Sequence, residues 1–323
     1  MMRSKGAREL GSWGTCIRLF SCSLVLLLFA SRLSVASGEA DAFALPGVGA
    51  RPGGMGGAFI GLSDDVESIY YNPAGLGNLI QSEASAMYQA PSLDTSRSFV
   101  AVSKRWVNPV LPGSFGFGWL RLRSSDIELT NTDEQVIGSD TLTNDLLLWS
   151  VGVHPFAHWS FGATAKYFRF AFNGFKESGF GADLGAHAQY NPFRMGLVLT
   201  DIGGTTLKGN SIDPSGGQVS DRVPARLKSG VGLVFNQPFN WPLSLAWDLD
   251  TLVKLQDAQD IKTNTGVEVW TFHDSAALRA GYRESGGPTL GFGLRFGQFQ
   301  IDYSFLLSLQ LKDEHRIGTT FRF

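Results

Sequence analysis

Residues 290–305 read LGFGLRFGQFQIDYSF. Leu290, Phe292, Leu294 and Phe296 alternate with Gly291, Gly293 and Arg295. Past Gly297, Phe299, Ile301, Tyr303 and Phe305 alternate with Gln300, Asp302 and Ser304. A period of two sends successive side chains to opposite faces, so this is two strands joined by a tight turn. One face is large and apolar; the other is small, polar or charged. The same pattern recurs at Phe180–Tyr190 and Leu243–Asp250, where Asp183, His187, Asp248 and Asp250 share the polar face.

Working outward, about fourteen such segments fill the chain: 82–90, 96–106, 114–123, 142–153, 158–170, 178–190, 194–202, 223–235, 242–252, 263–271, 276–283, 288–296, 298–306 and 314–323. A soluble sandwich and a transmembrane antiparallel β-barrel both produce alternation. Three further features favour the barrel. Trp106, Trp159, Tyr190, Trp241 and Trp270 fall near segment ends, as an interfacial aromatic girdle requires. The chain closes on IGTTFRF, an alternating strand ending in Phe323. Connections sort into a short class and a long class, with the long polar loops near 124–141 and 203–222 both in the long class. The fold class read from these features is all-β, with an even strand number near fourteen.

The N-terminus has an export signature. Arg3, Lys5, Arg8 and Arg18 precede the apolar run Leu19–Ala30, and small residues follow at Ala36, Ser37, Gly38 and Ala40. The run is about a dozen residues, short of the ~20 needed to span a bilayer as a helix. Residues 1–40 are therefore expected to be a cleaved signal for Sec export. Both cysteines, Cys16 and Cys22, lie inside it, so the exported chain is expected to lack disulfides. Residues 1–38 hold five Lys/Arg and one Asp/Glu; removing them from totals of 27 and 29 leaves 22 and 28, a charge of −6. Such a balance gives no electrostatic case for nucleic acid.

Residues 51–76 read RPGGMGGAFIGLSDDVESIYYNPAGL. Gly53, Gly54, Gly56, Gly57 and Gly61 let the backbone turn tightly and lie against other backbone. Phe59, Ile69, Tyr70 and Tyr71 among them argue for a compact plug rather than a linker. Ser63 is an N-cap candidate for a short helix, with Asp64, Asp65 and Glu67 suited to its first turn. Asn72-Pro73 ends it. The domain reading is signal 1–40, plug or hatch 41–80, barrel 81–323.

Enzyme chemistry finds no support: there is no GxSxG elbow, HExxH or Walker loop. The glycines near 47–57 follow a signal rather than a strand and lack a phosphate-binding lysine. His154 and His158 flank a turn, so no metal or other cofactor is expected. The acidic run Asp126, Asp133, Glu134, Asp140 and Asp145 lacks EF-hand spacing and reads as largely solvated. By parity, Lys166, Asp183, His187, Arg226, Asp248, Asp250, Glu268, Arg279, Arg295, Asp302 and Arg316 face the lumen. On the lipid face at the bilayer midplane a charge costs ~2–4 kcal/mol, so inward placement is required whatever the function.

These residues carry a resemblance. GARPGGMGGAFIGLSDDVESIYYNPAGL at 49–76 resembles the N-terminal hatch of FadL-like outer-membrane proteins and their PorV/UPF0164-type relatives. Asn72-Pro73-Ala74 matches its NPA element. GLVLTDIG at 196–203, GVEVW at 266–270, ALRAGYR at 277–283 and the closing IGTTFRF also resemble the family. The resemblance implies a fourteen-stranded barrel in the outer membrane with a hatch in its lumen, inserted by the barrel-assembly machinery and surrounded by outer-membrane lipid. It implies two alternative jobs: passive uptake of a hydrophobic small molecule, such as long-chain fatty acids or hydrocarbons, or binding of secreted protein cargo in type IX secretion. Under the first, Asn72, Pro73 and Ala74, with Gly56 and Gly57, would form the gate. Gly116 and Gly118 would supply a strand bulge or kink for sideways exit.

Overall fold

The computed structural model describes residues 47–89, 95–131, 135–212, 218–236, 244–254, 257–308 and 313–323. The expected signal, residues 41–46 of the hatch and Trp241 lie outside these residues. The strands begin with β1 (Glu83–Gln89), β2 (Thr95–Trp106), β3 (Gly113–Thr130), β4 (Val136–Phe156) and β5 (Trp159–Phe172). Next come β6 (Phe175–Tyr190), β7 (Phe193–Thr200), β8 (Thr205–Ile212), β9 (Gln218–Val223), β10 (Arg226–Asn236) and β11 (Ser244–Lys254). The last five are β12 (Asp257–Thr271), β13 (Ala276–Arg283), β14 (Gly287–Phe296), β15 (Phe299–Leu306) and β16 (Glu314–Arg322).

Fourteen of them form a closed antiparallel ring. Each of β1–β6 pairs with the next, β7 pairs with β10, and β10–β16 continue the series. Closure comes from β1 against β16, in register from Glu83↔Arg322 to Gln89↔Arg316. Beyond that ladder, Ser82 and Phe323 exchange backbone bonds of 3.2 and 2.9 Å. A closed ring leaves no edge strand to aggregate. Each of the fourteen segments read from alternation is one ring strand.

The two polar loops are not loops. β3 and β4 continue past the ring as one hairpin, with register shifts between Ser124 and Ile127 and between Leu129 and Thr130. Residues 203–222 contain β8 and β9, which pair with each other and touch the end of β6 at Glu177↔Gly209 and Ser178↔Lys208. The outer part of the β3–β4 hairpin, where Val136 and Ile137 are exposed, buries no consistent face and so shows no clean alternation. Both hairpins rise from the same end, called here the hairpin end; the opposite, short-turn end carries Glu83 and Phe323.

The fold is apolar outside and polar inside. Phe115, Phe117, Phe180, Leu184, Leu290, Phe292, Phe299 and Ile301 are exposed, while Asp183, His187, Asp248, Glu268, Arg279 and Asp302 are buried. This is the inversion expected of a barrel in lipid. No helix among the described residues is long and apolar enough to cross a membrane. At the short-turn end, Trp106 packs on Phe115 at 4.3 Å, and Trp159 Nε1 donates to the Tyr190 hydroxyl at 3.1 Å. Trp270 corrects the girdle reading. It points inward, 7% exposed, beneath two guanidinium groups.

Phe323 directly follows β16, beside its closure with β1, and stacks on Phe321 at 5.7 Å. Phe323→Ala removes that ring and leaves the ladder intact. The expected outcome is lower outer-membrane abundance at native expression, with an unchanged heat-unfolding midpoint for the molecules that do insert. Equal abundance would remove Phe323 from assembly.

Candidate functional site: the segment packed inside the barrel

Residues 47–80 lie against the inner wall. They contain α1 (Ala50–Gly54), α2 (Ser68–Tyr71) and a 3-10 turn at Pro73–Asn78. The helix expected from Ser63 does not start there. Ser63 has φ 33° and its hydroxyl donates to the Phe59 carbonyl at 2.7 Å; α2 begins only at Ser68. Asp64 and Asp65 turn instead to Arg51, since a full ion pair outweighs a dipole contact worth well under that. Asn72 caps the 3-10 turn: its Oδ1 accepts from Ala74 N at 3.1 Å, and Pro73 supplies a preset φ at the first position.

The segment meets the wall backbone to backbone. A Cβ added at Gly266, Gly281, Gly196, Gly162 or Gly152 would come within 3.0 Å of backbone atoms of Met55, Gly56, Ile60, Pro73 or Gly77. Gly54 and Gly291 meet from opposite sides. Gly56 and Gly57 have φ +69° and +83°, a region side chains strain to adopt, and a Cβ on Gly56 would also strike the Tyr282 backbone. Gly185 gives room to Asn72, whose Nδ2 donates to the Ala186 carbonyl at 3.1 Å. Gly116 and Gly118 give room to Ile69; the β2–β3 and β3–β4 ladders run past both without a register shift.

Charge fastens one half of the segment. Arg51 grips Glu268 with two bonds, Nε to Oε2 at 2.9 Å and Nη2 to Oε1 at 2.8 Å. Its Nη1 reaches Asp64 at 2.7 Å and Asp65 at 2.8 Å. From Glu268 the network runs to Arg279 at 2.7 Å and on to Asp302 at 2.8 Å. Asp302 accepts from Gln300, and Gln300 Oε1 accepts from Arg295 at 3.1 Å and Arg322 at 3.0 Å. Arg322 pairs with Glu83 at 3.0 Å, and Glu83 accepts from Val66 N at 2.8 Å, back in the segment. Arg295 and Arg279 lie 4.2 and 5.5 Å from the Trp270 ring centre, a cation–π arrangement. Buried charges persist only when paired in this way.

Other wall residues hold the segment singly. Asp248 Oδ2 accepts from Leu62 N at 2.9 Å, and Arg194 pairs with Asp64 at 3.2 Å. His187 bonds the Gly61 carbonyl at 2.7 Å through Nε2, and Asn78 Nδ2 lies 3.1 Å from its Nδ1. A carbonyl can only accept, which places the proton on Nε2. Arg226 is buried on the same face. Asp250 pairs at backbone level with Gly230; its side chain lies outside the described atoms. Glu67 stands apart. Its carboxyl packs against Gly49, Oε2 has no partner, and burial pushes its pKa well above the usual carboxylate range, with Asp65 and Asp302 adding to the rise.

Of the residues that parity assigns to the lumen, Arg226, Asp248, Glu268, Arg279 and Asp302 are buried, and Glu268, Arg279, Arg295 and Asp302 lie in one network. Parity missed Arg51, Glu83, Arg194 and Arg322. Arg51 was hidden in a glycine run. Glu83 and Arg322 sit at strand ends, where too few neighbours remain to set parity.

No family model matches the chain, and no curated protein matches it. Solved structures do. The Ralstonia pickettii toluene transporter TbuX is 16% identical, covers 87% of this chain and 100% of its own, and superposes with a TM-score of 0.60. The CymD monoaromatic hydrocarbon channel is 15% identical over 87% of this chain and 99% of its own, TM-score 0.62. A Pseudomonas aeruginosa FadL homologue is 14% identical over 86% and 97%, TM-score 0.51. At such identities the likeness is one of fold.

Proposed function

We propose that this protein is an outer-membrane channel for passive uptake of hydrophobic compounds, hydrocarbons or long-chain fatty acids, and that residues 47–80 are its gate. One observation carries the reading: a fourteen-stranded ring, wider than its own side chains can fill, is filled by a folded segment rather than left as an aqueous pore. An apolar solute crosses the lipopolysaccharide layer slowly, and a dry path through a plugged barrel would bypass it. The likeness to solved channels for toluene and monoaromatic hydrocarbons supports the same reading. With β1 beginning and β16 ending at the short-turn end, that end would face the periplasm and the hairpins the outside.

The gate would open in its second half. Residues 51–67 are fixed by the Arg51 network. Residues 68–78 rest on apolar contacts of Ile69 and Leu76 and on the neutral hydrogen bonds of Asn72 and Asn78. Asn72-Pro73-Ala74 would be the inner stop. The test is uptake of radiolabelled toluene by cells carrying the protein, against vector-only cells. Several-fold faster entry is expected. Entry equal to the vector control, with the protein verified in the outer-membrane fraction, would overturn the proposal.

A further inference from the structure

At the hairpin end of β3–β6 the outer wall changes character. Its outward positions form cross-strand rows, taken here toward that end. Phe117 and Trp149 lie in one row, and Val100, Trp119, Leu147, Tyr167 and Phe180 make the next. Both rows face lipid, with Tyr167 packed on Phe180 at 5.0 Å between ring centres. The third row is Ser98, Arg121, Asp145, Arg169 and Ser178. The fourth is Ser96, Arg123, Thr143, Ala171 and Lys176. Four cations and one carboxylate thus stand together just beyond the aromatic rows. The outward positions of β7 and β13–β15, by contrast, carry no charged residue at any level.

The one carboxylate is already committed. Arg121 holds Asp145 with two bonds, Nε to Oδ1 at 2.7 Å and Nη2 to Oδ2 at 3.0 Å, and Trp119 Nε1 donates to Oδ1 at 2.9 Å. The Arg121 guanidinium also lies 4.7 Å from the Trp119 ring centre. Arg169 stands opposite Asp145 on the next strand, and Arg123 and Lys176 lie one row further out. Among the described residues, neither Arg123 nor Arg169 has a carboxylate within ion-pair distance. Arg123, Arg169 and Lys176 are all exposed. A single cation at this level is cheap, because the cost of charge on the lipid face falls steeply from midplane to interface. Four side by side repel one another unless an anion lies between them. Guanidinium forks fit phosphate oxygens in two parallel bonds, and the hydroxyls of Ser98 and Ser178 flank the arginines as partners for a sugar. The Trp and Tyr rows set the depth, since those rings mark the boundary between acyl chains and headgroups.

We infer that Arg121, Arg123, Arg169 and Lys176 form a site on the outer wall for the phosphorylated sugar headgroup of lipopolysaccharide, whose acyl chains lie along the aromatic rows beneath. Asp145 is a positioning residue: it fixes Arg121 and leaves the other three cations to the ligand. The inference takes from the uptake reading only that the hairpin end faces outside, where the leaflet carries such a lipid. It concerns the lipid that surrounds the barrel, not the solute that passes through it.

The test is equilibrium binding of bisphosphorylated lipid A to the full protein in detergent, read by native mass spectrometry. Dephosphorylated lipid A and phosphatidylglycerol are the comparison probes: the first lacks the phosphates, the second lacks the sugar. Wild type should bind lipid A at least about tenfold tighter than either, the scale of one charge-assisted hydrogen bond. Arg123→Gln combined with Arg169→Gln should erase most of that preference. Both side chains are exposed and neither holds a carboxylate, so heat-modifiable gel migration should stay as in wild type. Lys104→Gln removes an outward cation near the other end of β2, 5.6 Å from the Phe323 ring centre, and should leave the preference intact. Equal binding of phosphatidylglycerol would reduce the patch to a general anionic surface and overturn the site. Equal binding of dephosphorylated lipid A, or a preference untouched by the double variant, would overturn it too. Toluene uptake tests the channel separately, so either reading can fail while the other stands.

Discussion

Deletion of residues 40–79 is expected to turn a silent barrel into a conducting pore. All fourteen ring strands remain, so insertion should survive. The bore would then be lined by Gly152, Gly162, Gly196, Gly266, Gly281 and Gly291, which now accommodate the segment's backbone and would leave open space. Eight strands are roughly the size at which side chains fill a barrel unaided. The wall's own ion pairs, Glu268–Arg279 and Arg279–Asp302, do not depend on the segment, and the charges it leaves behind would be hydrated. Planar-bilayer conductance should rise from near zero to steady openings. A deleted form that inserts, migrates as a folded barrel and stays silent would show that the segment is not what closes the lumen.

The second large effect is expected at Glu268. Its carboxylate is 1% exposed and holds two guanidinium groups, Arg51 from the segment and Arg279 from the wall. Glu268→Ala strands both. Breaking a buried pair from one side costs about 3–5 kcal/mol. The low end applies here, because Arg51 keeps Asp64 and Asp65 and Arg279 keeps Asp302. Arg51→Met should cost at least as much: Glu268 retains Arg279 and Asp64 retains Arg194, but buried Asp65 loses its cation. Heat- or urea-unfolding followed by gel mobility measures both, and the double variant gives the coupling. The effects of the singles should fail to add by more than about 0.5 kcal/mol, the margin for contacting residues. A Glu268→Ala midpoint equal to wild type would mean that charge does not fasten the segment.

Much of this architecture is legible in the chain. Strand number and order followed from alternation because a ring in lipid forces one face of every strand to be apolar. Where that demand lapses, the reading fails. The β3–β4 extension and the β8–β9 hairpin stand beyond the ring, so nothing marks them as strands. Trp270 read as girdle because it lies near a strand end, yet Arg295 and Arg279 hold it inside. Phe99 is large and faces inward beside Arg97, which breaks the large-out rule and hides both. Ser63 had the right chemistry for a cap, but Asp64 and Asp65 were needed by Arg51, 13 and 14 positions away, and no local rule can see that.

The glycines of residues 51–76 imply backbone contact, but their spacing does not say with what. Each partner lies on a strand far along the chain, such as Gly281 for Gly56 or Gly162 for Pro73. Spacing within residues 51–76 shows that the segment is compact; only the ring shows that its glycines are matched by a second set on the wall.

The account's central claim is that solutes pass when residues 68–78 move. Asn78 of the 3-10 turn donates to Ser160 Oγ of β5 at 2.9 Å, so Asn78→Cys with Ser160→Cys puts one thiol on the segment and one on the strand it faces. The chain's own cysteines, Cys16 and Cys22, both precede the expected cleavage site. The measurement is toluene uptake by cells carrying this variant, oxidised to the disulfide and then reduced. Uptake should fall to the vector level on oxidation and return with reductant. Undiminished uptake with the cross-link complete would contradict the claim.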